Sequence, residues 1–222
     1  MPHARRLLAS IVLLLAAAPA CAQLRDGEWV SYRDAYRVMV VFEKYGGPKN
    51  FLQSQLQVLP RERAGFDGLQ LTLAGKSTEL HLALDALGRT RLPLQKAAYD
   101  ENAALVLNRK GVPFTVRPQV SIVARPDGVY DSAELRAACV QALEFARHVD
   151  AGARGRQCVG ARFVFLDKGE GGVRLRREGG GEQALPAQQA DDGVQAVLVR
   201  FGAQPGQVVT VNAPLAILPV FE

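Results

Sequence analysis

The chain has 222 residues, 48% hydrophobic and 22% charged, with a formal net charge of +5. That balance excludes a disordered or fibrous chain and supplies enough apolar side chains for a sizeable core. The length allows one generous domain or two small ones, and the mild basicity gives no ground for nucleic-acid binding, because no cationic cluster is interleaved with aromatic residues.

Residues 1–22 read as an export signal. Arg5 and Arg6 form a positive start, Leu7 to Ala18 is unbroken and apolar, and Ala20-Cys21-Ala22 has the small-x-small pattern that a signal peptidase accepts. Cleavage is expected between Ala22 and Gln23. The apolar stretch is shorter than the roughly 20 residues a membrane-spanning helix needs. Cys21 opens a second route, in which processing stops before the cysteine and a lipid anchors the chain to the outer membrane. Ala18 and Pro19 suit that route poorly, so the exported, unlipidated form is the preferred reading. Without Arg5 and Arg6 the chain carries 25 basic and 22 acidic residues, a net +3.

Ser31 and Asp34 resemble a capping box at the start of a first helix. Tyr32, Tyr36, Met39, Val40 and Phe42 follow at near-helical spacing, and Gly46-Gly47-Pro48 stops the helix. Trp29 is placed to act as a hydrophobic staple before it. From Gln53 to Val123 the pattern turns to period two. Strands are expected at Gln55–Val58, Leu69–Leu73, Leu80–Leu84, Ala104–Leu107 and Val116–Val123. Asp85 to Gly88 reads as a turn, with Arg91–Leu94 returning as the partner of the preceding strand. Pro93 would hold that segment to an edge.

The second helix starts at Asp131 and Glu134. Leu135, Ala138, Cys139, Ala142, Leu143 and Ala146 form one apolar stripe. A basic loop, Asp150 to Gln157, leads to a strand over Val159–Leu166. A hairpin turn at Asp167 to Gly172 then returns the chain through Val173–Arg177. Cys139 lies on the core stripe and Cys158 opens the next strand. As the pair remaining after export, they are expected to bridge in an oxidising compartment and pin the helix to the sheet. The alternative is two buried free thiols. The spacing excludes a CxxC redox site, and further zinc ligands are lacking. Gly179-Gly180-Gly181 reads as a linker. Beyond it, Val194–Phe201, Val208–Val211 and Leu215–Val220 are strand candidates, with a turn at Pro205-Gly206. No internal repeat of convincing register is visible, although the β–helix–β layout could hide a degenerate one.

Chemistry is sparse. His81 alternates with leucines and is expected on a wet strand face, and His148 lies where a helix end favours a cation. None of the serines after residue 22, namely Ser31, Ser54, Ser77, Ser121 and Ser132, stands in a nucleophile elbow. No metal-binding motif is present, and the Asp167–Gly172 stretch lacks the alternating ligands of a calcium loop. The adjacent carboxylates Asp100-Glu101 and Asp191-Asp192 have no spacing suited to paired acid–base work. Arg174 and Arg176 share one strand face and read as solvated. No catalytic, cofactor or metal residue is assigned.

The tyrosine-bearing helix at Tyr32 and Tyr36, followed by the turn-and-strand piece Gly88-Arg89-Thr90-Arg91-Leu92-Pro93-Leu94, resembles an uncharacterised family of small exported proteobacterial proteins. The resemblance covers roughly residues 29–167. It implies no activity and carries over no functional residue.

The expected fold is α+β, mainly antiparallel sheet with two amphipathic helices, one tied to the sheet by the disulfide. The expected division is a signal at 1–22, an α+β domain at 23–178, and a linker with a small β tail at 179–222 that forms its own unit or completes the main sheet. The expected role is a periplasmic, non-catalytic binding or envelope-accessory module, whose partner is an envelope protein or an anionic envelope component. A hydrolase with a site outside known motifs, or an outer-membrane lipoprotein anchored through Cys21, are the alternatives.

Overall fold

The computed structural model describes residues 27–61, 66–166, 171–177, 181–190, 193–202 and 206–222. The export signal with Cys21, the Ala22–Gln23 junction, most of the Asp167–Gly172 turn, Gly179-Gly180, Asp191-Asp192 and Pro205 lie outside the described residues.

The first half of the chain runs β1 (Trp29–Ser31), α1 (Tyr32–Lys44), β2 (Leu52–Pro60), β3 (Gln70–Ala74), β4 (Glu79–Ala83), β5 (Arg89–Thr90), α2 (Lys96–Asp100), β6 (Ala104–Leu107) and β7 (Phe114–Ile122). The second half runs β8 (Val129–Asp131), α3 (Ser132–Val149), a 3-10 turn at Ala151–Ala153, β9 (Cys158–Leu166), β10 (Val173–Arg177), β11 (Glu182–Ala184), β12 (Ala187–Ala190), β13 (Val194–Arg200), β14 (Gly206–Thr210) and β15 (Ala216–Phe221). Three antiparallel sheets result, in the orders β1-β6-β3-β4, β11-β10-β14-β8 and β12-β13-β9-β15-β7-β2-β5.

The two small sheets have the same plan. In each, the strand before the long helix pairs with a later strand, and that strand pairs with a hairpin. Ser31 opposes Ala104 as Asp131 opposes Gln207, and Thr72 opposes Val106 as Arg174 opposes Val209. Across the hairpins, Ala74 opposes Glu79 as Arg176 opposes Glu182. The halves meet in the large sheet, where β7 of the first lies beside β15 of the second through Ile122 and Ile217. The two halves therefore share one β–helix–β plan of strand pairing, to which the first adds α2, and they meet at β7 and β15. Too few side chains match between the halves for the repeat to be read from the residues.

Each long helix packs its apolar stripe against this framework. Helix α1 buries Tyr32, Ala35, Met39 and Phe42, and α3 buries Leu135, Ala138, Cys139, Ala142, Leu143 and Phe145. One core gathers Tyr32 and Met39 with Leu56, Val58, Leu71, Leu73 and Leu105. The other gathers Leu135 and Phe145 with Phe163, Ile217, Val173 and Val208, and reaches across to Phe42. Each large side chain fully withdrawn from water contributes roughly 1.5–3 kcal/mol. The Phe42 and Phe145 rings meet edge to face at 5.2 Å and join the two halves at their helices. The Cys139–Cys158 disulfide ties α3 to β9, with 5.9 Å between Cα atoms.

Several local expectations change. Ser31 and Asp131 make no side-chain cap bonds, because each is already the last residue of a strand. Instead the Tyr32 amide donates to the Ala103 carbonyl, and Glu134 pairs with Arg125 at 3.0 Å. Trp29 pairs across from Val106 and remains 38% exposed, so it is no staple. Residues 91–94 are not a strand, and the partner of β4 is β3. The chain turns at Gly88, whose φ of +71° is open chiefly to glycine, and Gly88 accepts from the Val58 amide at 2.8 Å. This directs β5 to β2, and the following segment, which Pro93 keeps from acting as a ladder donor, wraps Tyr32 instead.

Tyr32 is fully buried; its hydroxyl donates to the Pro93 carbonyl at 2.7 Å and accepts from the Gln95 amide at 2.8 Å. Burial raises its pKa above the ordinary tyrosine value. The neutral form is thus favoured on folding, and this contribution is present below about pH 10 and lost as pH rises through the higher folded value. Tyr32→Phe is expected to lower stability by about 0.5–1.5 kcal/mol at pH 7, since it removes both hydroxyl bonds while the Gln95 amide keeps its 3.2 Å bond to the Pro93 carbonyl. Its urea midpoint should also fall less between pH 9 and 11 than that of the parent. Identical midpoints at pH 7 would show that the hydroxyl pair carries no stability.

Candidate functional site

The ladder between β7 and β15 is a single bridge, Ile122 to Ile217, whereas each strand is paired along its length on its other side. Beyond the bridge the two strands part. Pro118 and Pro219 stand on the parting segments, each opposite a fully buried residue, Leu56 and Ala161 respectively. Neither proline has a backbone N–H, so each removes a donor that a continued ladder would use. A register shift at Val220/Phe221 further irregularises the end of β15.

The gap is a cleft of about 540 Å³, within the range of small-molecule sites. Residues 117–120 and 218–221 form its walls, and Ala142, Phe145, Ala146 and Val149 of α3 line it from the helix side. Phe145 is buried, while Val149 is 52% exposed. Three arginines border it. Arg117 comes from β7, Arg162 from β9 and Arg156 from the basic loop after α3. No carboxylate belongs to the lining. The Arg117 Nε donates to Gln57 Oε1 at 3.0 Å, which orients that side chain. Among the described residues no hydrogen bond or ion pair engages the Arg156 and Arg162 guanidiniums. The disulfide stands beside one wall, with the Cys139 Sγ 3.8 Å from the Val220 carbonyl oxygen and Cys158 opposite Phe221.

A second cavity, about 440 Å³, lies at the start of α3 beside Leu175, Arg176, Arg200 and Phe201. Its cations are engaged. Arg176 pairs with Glu182 at 2.7 Å, Arg200 with Glu222 at 3.1 Å, and Arg177 donates to Gln183. The Arg176 bond lowers the Glu182 pKa from its ordinary value. Arg174 reaches the same carboxylate at 3.6 Å, so the basic cluster of β10 is partnered by β11. Of these two cavities, the first is bordered by cations without a partner among the described residues.

The residues weighed for catalysis are not brought together. His81 lies on the small first sheet, 3.1 Å from Thr72 Oγ1 and 3.7 Å from Glu79 Oε1, with its side chain 56% exposed. His148 is exposed at the end of α3, its ring 5.2 Å from that of Tyr45. The serine contacts run elsewhere. Ser77 donates to Glu101, Ser121 accepts from Gln53, and Ser132 donates to the Gly206 carbonyl. Glu101 also accepts from the Ser77 and Lys76 amides; the Ser77 hydroxyl bond first, and then these amides, lower its pKa, while Asp100 pairs with Lys96. The neighbouring carboxylates of that pair thus hold two different local structures. Among the described residues no group of three or more histidines, cysteines or acids is placed to hold a metal ion. Nor is any helix of those residues long and apolar enough to cross a membrane.

The cleft escapes a linear reading because its walls are about a hundred residues apart. The signal available is a proline inside each of two strand-like runs, Arg117-Pro118-Gln119-Val120 and Leu218-Pro219-Val220-Phe221. Comparison with protein families, with curated proteins and with solved structures gave no match.

Proposed function

We propose that this chain is an exported, non-catalytic binding module of the periplasm that works through the cleft between β7 and β15. The observation that carries the reading is an apolar cleft bordered by three arginines, two of them without a partner among the described residues, and lined by no carboxylate. Such a site holds a ligand by burial and orients it by charge, and none of its lining side chains is a nucleophile or general base. Arg5, Arg6 and the apolar run to Ala18 support export, and the Cys139–Cys158 bridge suits an oxidising compartment.

The test is made in the native envelope. A benzophenone amino acid replaces Ala146, which lines the cleft, or Val140, which is 45% exposed on α3 and is not part of the lining. After irradiation, a discrete adduct is expected from position 146 and none from 140. Equal adducts at both positions, or none at 146, would overturn the assignment of the cleft.

A further inference from the structure

Building on the cleft as the binding site, we propose that its ligand is a single-chain anionic amphiphile, an alkyl chain ending in a carboxylate. Three features converge on this chemistry. The first is the apolar interior, where Val120 and Phe221 pack against the core that holds Phe145, and Val149 lines the helix side. An alkyl chain buried there gains by the removal of each methylene from water and asks for no hydrogen bond along its length. The second is the pair of prolines. A peptide strand laid along either wall would need donors from the strand edge, and Pro118 and Pro219 withhold them where the walls part. The third is charge. Three guanidiniums border the cleft with no carboxylate in its lining, and Arg156 and Arg162 have no partner among the described residues. A guanidinium presents a planar fork that matches a carboxylate through two parallel hydrogen bonds.

The architecture assigns the parts separate roles. Arg117 is oriented by Gln57 and marks the β7 side, while Arg162 lies across β15 from it. Arg156 follows α3 in a loop whose end is held by Gln157, whose amide donates to the Glu222 carbonyl at 2.7 Å. The head group meets cations at the border, and the chain lies between the walls over Phe145.

The experiment uses the purified exported protein with its disulfide intact. Carboxylates of eight to fourteen carbons are titrated by calorimetry, below their micellar concentrations, beside the matched alcohols and trimethylammonium salts. Affinity is expected to rise about fourfold per methylene until the cleft is full. Carboxylates should bind at least tenfold more tightly than the ammonium salts. The double variant Arg156→Glu with Arg162→Glu, both exposed positions, should abolish that preference and leave alcohol binding unchanged. Ala146→Trp should weaken every member of the series. Affinity independent of chain length, equal affinity for carboxylate and ammonium, or tighter binding of a capped Asp-Val-Phe-Asp peptide would each overturn the proposal. If these arms fail while the Ala146 cross-link persists, the ligand class falls and the cleft stands. If both fail, both readings fall.

Discussion

Asp85→Ala is expected to be among the most damaging single changes on the surface of this protein, costing about 3–5 kcal/mol, because it leaves a charge buried without its partner. Arg89 has only 3% of its side chain exposed. Its Nε and one terminal nitrogen donate to the Asp85 carboxylate at 2.9 and 2.7 Å, and the same terminal nitrogen donates to the Leu215 carbonyl. The other carboxylate oxygen accepts from the Leu87 and Arg89 amides, each at 2.9 Å. One aspartate therefore closes the turn and neutralises the cation. Burying the guanidinium is costly by itself, so the pair should show strong coupling. Arg89→Met should cost less than Asp85→Ala, and the double variant should be more stable than Asp85→Ala alone. Urea unfolding of the three variants measures this. A loss below about 1 kcal/mol for Asp85→Ala would mean that water or another group satisfies Arg89.

Reducing the Cys139–Cys158 bridge is expected to lower stability by about 3 kcal/mol, the loop-entropy value for a ring of this size. The bridge spans 19 positions and encloses the end of α3, the turn at Ala151–Ala153 and the basic loop. The fold should survive, because Leu135, Ala138, Ala142, Leu143 and Phe145 still pack against the sheet. The cleft should loosen, since Arg156 lies inside the closed ring and Val220 stands beside Cys139. Urea midpoints with and without reductant, beside the Cys139→Ala/Cys158→Ala variant, give the magnitude. Coincident transitions would show that packing alone holds α3 in place.

Helix α3 was legible in the residues because its information is local. Its stripe repeats every three to four positions, and the structure buries it from Leu135 to Leu143, while Phe145 is buried in place of Ala146, which is half-buried and lines the cleft. The alternation at Leu71 and Leu73 and at Leu105 and Leu107 likewise marks core-facing strand positions. The disulfide was expected from cysteine arithmetic, since Cys139 stands on the stripe and Cys158 opens β9. The caps misled because Ser31 and Asp131 carry the residue types of a helix start while their backbones belong to β1 and β8. The strand at 91–94 misled for a related reason. Its apolar residues serve the Tyr32 core from a loop, as the burial of Leu92 shows.

The residues alone pointed to the two long helices, most core strands and the overall α+β class, since each depends on nearby neighbours, but not to the short helix α2 at Lys96–Asp100. Which strand lies beside which was decided only by the tertiary structure. The plan shared by the two halves rests on backbone pairings such as Ser31 with Ala104 and Asp131 with Gln207, and backbone hydrogen bonds specify no side chain. The cleft depends on another such pairing, Ile122 with Ile217. Pro118 and Pro219, which lie inside expected strands, withhold ladder donors once the fold sets those strands side by side, and the gap acquires its charge from arginines on three separate elements.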